Sequence, residues 1–293
     1  VKKLLITGAS GFLGYHLCQI APSKYQVYGT YFRHCLDIAN VNLSKLDLTK
    51  INELKTLFET IKPDAVIHTA AASKPNFCQT HPHKSYLINV TTSENIALLC
   101  GQDHIPCVFT STDLVFDGLN APYNEHSPVS PISIYGQHKA IAEQKMFQIY
   151  PKIALCRMPL MFGKATPCAH SFMQPFMAKI KGGEELSLFS DEFRTPVSAN
   201  TAAKGLLLTL EKQISGLIHL GGKERISRYN FGLLMAEVFN LSTNTIKPCS
   251  QKDVTMAAPR SPDVSMDSSY AFSLGYQPLS IREELVSLKD KIS

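Results

Sequence analysis

No two of the eight cysteines, at positions 18, 35, 78, 100, 107, 156, 168 and 249, stand in CxxC spacing, which argues against a zinc site. Three of them lie in apolar runs (Leu17-Cys18, Leu99-Cys100, Leu155-Cys156), the setting of buried free thiols in a reducing cytosol. His81, His83, Glu125 and His126 show no metal-ligand spacing either, so no metal is expected. No apolar run approaches the roughly 20 residues that cross a bilayer, and the chain enters a strand at once. A soluble, cytoplasmic protein without a membrane partner is therefore expected. A dense Lys/Arg run is missing, which removes the usual footprint of nucleic-acid binding. Internal repeats and low-complexity segments are missing too. Charge is sparse, at 18% of residues with a net +5, a surplus that suits an anionic ligand such as a nucleotide or means nothing specific. What is present is globular: 44% hydrophobic residues in 293, enough for one large domain or two smaller ones.

Apolar runs and helical spacing alternate through the first half. Strands are predicted at 3–7, 26–30, 41–48, 64–70, 106–111 and 153–157, with helices at 11–20, 51–61, 83–100 and 133–150. That alternation implies an α/β fold, a doubly wound parallel sheet covered on both faces. After Phe162-Gly163 the pattern is less regular, with helices at 171–181, 200–211, 227–239 and 281–291 and strands at 186–189 and 216–220. The expected division is a dinucleotide-binding domain over 1–163, to which 195–221 returns. A smaller substrate-binding lobe is expected from 164–194 and 222–293.

The sharpest local feature is the first turn, Gly8-Ala9-Ser10-Gly11-Phe12-Leu13-Gly14, where a strand runs through GxxGxxG into a helix. Gly8 permits the tight turn, Gly11 lets the backbone approach a pyrophosphate, and Gly14 lets the helix pack on the strand. The free N–H groups at the helix start then face phosphates. Ser10, Phe12 and Leu13 join these glycines as candidate cofactor contacts, as do Ala70 and Ala71 after the fourth strand. NAD-preferring proteins carry an acid near the end of the second strand, but residues 28–34 hold none. Arg33 there either pairs with a 2′-phosphate, favouring NADP(H) over NAD(H), or is an exposed surface arginine. Asp47, followed by Leu48, either accepts from the adenine amine or caps the next helix.

Tyr135 and Lys139 lie four apart at the start of a predicted helix, on one face. An ammonium there favours the phenolate and lowers the tyrosine pKa, equipping it to exchange a proton with a carbonyl or alcohol oxygen. The segment Thr110-Ser111-Thr112-Asp113 ends a strand where ligands bind in open α/β sheets. Thr112, or alternatively Ser111, is the hydroxyl expected to hold the substrate oxygen against Tyr135. His68 is expected to be a satisfied core histidine, and Cys78 to line the pocket without chemistry.

Together these residues resemble the extended short-chain dehydrogenase/reductases, which implies a Rossmann-type fold. Within that group, residues 111–118, Pro122-Tyr123, Glu125, Pro131 and Tyr135-Gly136-x-x-Lys139 with Glu143 are similar to the dTDP-4-dehydrorhamnose reductase family. The resemblance implies reduction of a 4-keto nucleotide sugar, with Thr112, Tyr135 and Lys139 as the catalytic trio and a cleft between two lobes. It also implies substrate contacts from Asn89 and Arg194. Asn89 is alternatively a helix-packing residue, and Arg194 alternatively a surface salt-bridge partner of Asp191 or Glu192. Dimers are common among relatives, so a homodimer is one expected assembly. Lys74-Pro75-Asn76, Asn89-Val90, residues 157–163 and residues 194–197 instead resemble the regulatory subunit of methionine adenosyltransferase, which implies NADP binding and a methionine adenosyltransferase partner. The reductases usually carry a tryptophan shortly after the arginine matching Arg157, and this chain has none. A nucleotide-sugar 4-epimerase is a third implied activity. Dehydration is disfavoured, because Leu114 stands where dehydratases carry an acid.

Overall fold

A computed structural model describes residues 1–34 and 36–292. The first strand, β1 (Lys3–Thr7), has both faces covered: Leu4, Leu5 and Ile6 are fully buried. Such a strand can only be central. It leads into α1 (Phe12–Ile20), β2 (Gln26–Tyr31), β3 (Val41–Lys45) and α2 (Ile51–Ile61). The last buries Leu54, Phe58 and Ile61 at helical spacing and stops where Lys62 turns left-handed before Pro63. After β4 (Ala65–His68) and the short helix α3 (Pro75–Thr80), the helix expected over 83–100 is present as a continuous helical run with a π-helical turn inside it. The run comprises α4 (Pro82–Tyr86), the π-helical turn (Leu87–Thr91) and α5 (Thr92–Gln102). Pro75 and Pro82 each open a helix, where a missing N–H costs nothing.

Next come β5 (Cys107–Thr112), α6 (Ile134–Ile149), β6 (Ala154–Met158) and β7 (Met161–Phe162). Ser133 caps α6 by accepting from the Gly136 amide. The remainder comprises α7 (Met173–Lys181), β8 (Leu186–Phe189), β9 (Phe193–Arg194), β10 (Val197–Ser198), α8 (Ala199–Glu211) and β11 (Gly216–His219). It continues through β12 (Ile226–Ser227), α9 (Arg228–Val238), β13 (Ile246–Cys249), α10 (Ser269–Ser273) and α11 (Ile281–Ile292).

Seven strands form one parallel sheet in the order β11-β6-β5-β4-β1-β2-β3. On one face Leu4 and Ile6 pack with Leu17 of α1 and Leu206 of α8. On the other, Leu5, Val66 and Phe109 pack with Phe58 of α2, Ile96 of α5 and Met146 of α6. Each such fully buried side chain contributes roughly 1.5–3 kcal/mol. A further core joins Met177, Leu188, Phe231, Met235 and Leu285, with short pairs β7/β10, β8/β13 and β9/β12 around it. Strand order reverses between β1 and β4, which opens a crevice at the carboxyl ends of the sheet. Cys18, Cys78, Cys100, Cys107 and Cys156 are buried and free, Cys168 is exposed, and Cys35 lies outside the described residues. Among the described residues no helix is long and apolar enough to cross a membrane.

Candidate active site

A cavity of about 1040 Å³ opens at this reversal. Its floor is the glycine-rich turn. Gly8 has φ 74°, and a Cβ there would lie 2.8 Å from the Ala70 backbone. A Cβ on Gly14 would lie 2.2 Å from the Gly8 carbonyl oxygen, so α1 sits against the turn at a distance only glycine permits. Ser10, Gly11, Phe12 and Leu13 line the cavity, as do Asp47, Leu48, Ala70 and Ala71. Asp47 Oδ1 accepts from the Thr49 amide (3.1 Å) and hydroxyl (2.7 Å), so one carboxylate oxygen already serves the turn before α2. Arg33 is exposed and stacks on Phe32, which faces the cavity while Arg33 lies outside its lining.

Ser111, Thr112, Tyr135, Lys139 and Arg194 all reach the same cavity, from β5, α6 and β9. Thr112 Oγ1 donates to Asp113 Oδ1 (3.2 Å) and accepts from the Leu114 amide (3.2 Å). Ser111 Oγ is buried with no hydrogen-bond partner. Contrary to the expectation that it lowers the Tyr135 pKa, Lys139 is not among the groups that act on the phenol. Burial, then the Asp113 carboxylate, push the phenol up, and Thr112 offsets them in part. The Lys139 ammonium lies instead 3.9 Å from the centre of the Phe109 ring. Burial holds it down to about 7, with Glu143 pulling the other way. Tyr135 is thus a protonated phenol, the form that gives a proton away.

Asn89 does not face the cavity. Its amide accepts from Ala72 N (2.8 Å) and donates to Ala72 O (3.1 Å) and Ser85 Oγ (3.2 Å), so it pins the cavity wall from behind. Cys78 lies behind the same wall, its thiol donating to Ala72 O (3.1 Å), rather than in the lining. His68 is a core histidine held by Thr7 Oγ1 (2.6 Å) and Ser93 Oγ (3.1 Å). Burial and the Lys139 charge push it down to about 3, so it is neutral.

Arg194 is no surface residue. It is 4% exposed and donates to Phe193 O (2.8 Å) and Ser261 O (3.2 Å). It also pairs with Glu192 (3.3 Å) and Asp113 (3.6 Å). Asp191 turns away to bond Ser250 and Gln251. Burial pushes Asp113 up to about 6 against the pull of Arg194. Sequence reasoning missed Glu192 as a cavity residue, and Arg228 and Arg260 altogether. All three line the cavity beside Arg194, and Arg228 pairs with Glu192 at 3.4 Å. Arg228 Nη1 and Arg260 Nε are buried atoms without a hydrogen-bond partner. Their only sequence signal is positive charge, and they lie 34 and 66 positions beyond Arg194 (228 − 194 and 260 − 194).

The family model described as the RmlD substrate binding domain matches residues 2–293. Methionine adenosyltransferase 2 subunit beta of Xenopus laevis is 28% identical over 281 residues, covering 94% of this chain and 83% of that protein. The crystal structure of a hypothetical dTDP-4-dehydrorhamnose reductase from Sulfolobus tokodaii is 30% identical with a TM-score of 0.85, covering 95% and 98% of the two chains. For the dTDP-4-dehydrorhamnose reductase of Bacillus anthracis in complex with NADP the values are 24%, 0.88, and 99% of each chain, a likeness of fold. The glycine cradle, the trio on β5 and α6 and the match along the whole chain place the protein in the RmlD substrate binding domain family, that of the dTDP-4-dehydrorhamnose reductases.

Proposed function

We propose that the protein is a reductase of a 4-keto nucleotide sugar that prefers NADPH to NADH. The observation that carries this is the convergence of Thr112, Tyr135 and Lys139 on the cavity that the glycine turn floors. The turn fits a dinucleotide, because backbone approaches within it leave no room for a Cβ at Gly8 or Gly14. Lys139 is a buried cation at the cavity that suits the nicotinamide ribose, and Arg33, exposed next to the lining residue Phe32, would pair with a 2′-phosphate. When bound, the nicotinamide group supplies the hydride. Tyr135 holds the proton that the keto oxygen takes up, and Ser111 and Thr112 supply hydroxyls to orient that oxygen. Arg194, Arg228 and Arg260 line the same cavity, Arg194 beside Asp113, and the spare donors on Arg228 and Arg260 suit the phosphates of a nucleotide sugar.

The test follows NADPH absorbance with dTDP-4-keto-6-deoxyhexose as substrate and NADH as the competing cofactor. Tyr135→Phe is expected to lower kcat/KM by roughly 10²–10⁴-fold, the usual yield of a positioned acid, with NADPH affinity within about twofold. Full activity in that variant would refute the role of Tyr135. A second reading is favoured by the similarity to methionine adenosyltransferase 2 subunit beta and by the absence of tryptophan: an NADP-binding partner of a methionine adenosyltransferase. NADPH binding without turnover, together with capture of that enzyme, would select it.

A further inference from the structure

We propose that Phe109 is a positioning residue for Lys139, its ring face holding the ammonium in the cavity where a carboxylate would otherwise be needed. Lys139 is 1% exposed, yet its Nζ makes no hydrogen bond to a described residue. The nearest carboxylate on its own helix, Glu143, is already committed. Its two oxygens take Arg157 Nε (3.1 Å) and Nη2 (2.8 Å) from β6. What the ammonium does meet is the Phe109 ring, 3.9 Å from centre to Nζ, on a side chain that is fully buried. A ring face is electronegative, and its attraction for a cation is strongest where water is excluded.

Phe109 is itself fixed on its strand, stacked on His68 with ring centres 5.6 Å apart, and His68 is neutral and bonded on both sides. The platform under Lys139 is therefore rigid and carries no charge that could compete for a proton. The other titratable or charged groups around Lys139 are few. Tyr135 lies on the same helix, and the Asp113 carboxylate after β5 and Cys78 of α3 act on Tyr135. His138 is bonded to Ser85 of α4, and Glu94 of α5 is paired with Lys145. His83 and Lys84 belong to α4, and the π-helical turn brings none.

A second consequence concerns the cofactor and rests on the reading just proposed. A ring holds the charge without a lone-pair acceptor taking the N–H donors of the ammonium, so those pointing away from the ring stay available to a ribose. A carboxylate in that place would take one or two.

The test needs no nicotinamide compound. Urea unfolding of the unliganded protein is followed across a pH series, and the portion of the pH dependence abolished by Lys139→Met gives the midpoint at which Lys139 loses its proton in the folded state. Phe109→Met, which keeps the volume and removes the ring, is expected to move that midpoint down by about one pH unit, a tenfold loss of protonation. Phe109→Tyr restores the ring and is expected to leave the midpoint within about 0.3 units of the original. In a Lys139→Met background, Phe109→Met is expected to change stability equally at every pH. An unmoved midpoint in Phe109→Met, an equal shift in Phe109→Tyr, or a pH-dependent effect that persists without Lys139 would each overturn the proposal. Should Phe109→Met not fold, Phe109→Leu takes its place with the same outcomes. Absence of NADPH binding by the unmodified protein would sink the cofactor reading and leave this result standing.

Discussion

Removing Glu143 is expected to cost far more than a surface ion pair. Its carboxylate grips Arg157 with two bonds, and the exposures of the two side chains are 7% and 3%. In Glu143→Ala the guanidinium keeps, among the described residues, the ring nitrogen of His219 at 3.4 Å and the face of Phe116 at 5.0 Å. It becomes a buried cation without an anion. Breaking a pair in this way costs about 3–5 kcal/mol. At roughly 2 °C per kcal/mol for a chain of this size, Tm falls by about 6–10 °C. Replacing both partners with apolar residues, Glu143→Leu with Arg157→Met, is expected to recover most of the loss, since no charge is left stranded. Urea unfolding followed by circular dichroism measures all three proteins. A loss below about 1 kcal/mol in the single variant, or a double variant as unstable as the single, would refute the reasoning.

Two further outcomes follow from the cavity. Lys139 is held at about 7 in the folded chain and returns to its ordinary, higher value on unfolding. Between those values the unfolded chain binds the extra proton, so stability rises with pH and is lost as pH falls through about 7. Over roughly pH 7 to 9 the gain is about 2 kcal/mol, and Lys139→Met is expected to lack it, as parallel urea titrations of the two proteins will show. Gly14→Ala would set a Cβ 2.2 Å from the Gly8 carbonyl oxygen, which distorts the turn. NADPH affinity by fluorescence is expected to fall at least about tenfold, and unchanged affinity would show that the turn does not bind the dinucleotide.

Signals that are local in sequence were legible. The strand-turn-helix around Gly8 and Gly14 and the Tyr135/Lys139 face each depend on a few neighbouring residues, and the chain shows both. The seven-stranded parallel sheet followed from the alternation of apolar runs with helical spacing. The helix over 83–100 was legible too, as a run from Pro82 to Gln102, but neither the short α3 before it nor the π-helical turn within it has a periodicity that marks it. That turn sets Asn89 against the Ala72 backbone rather than into the cavity, a direction that no spacing rule specifies. The two-residue pairs β9/β12 and β7/β10 are too short to show a period. Arg228 and Arg260 reach the cavity only through the packing of those late segments, so nothing near them in sequence marked them.

The arginine cluster has a consequence for how a ligand arrives. Three guanidinium groups share their space with Glu192 and Asp113, so the ensemble carries a net charge near +1. The pull of this cluster by itself on a distant anion is modest. On the proposed reading, discrimination falls to the later moment when the ligand's oxygens find, or fail to find, the N–H groups of Arg228 and Arg260. Selectivity in such a cleft is expressed in residence time, and simple polyanions are poor competitors for it however highly charged they are.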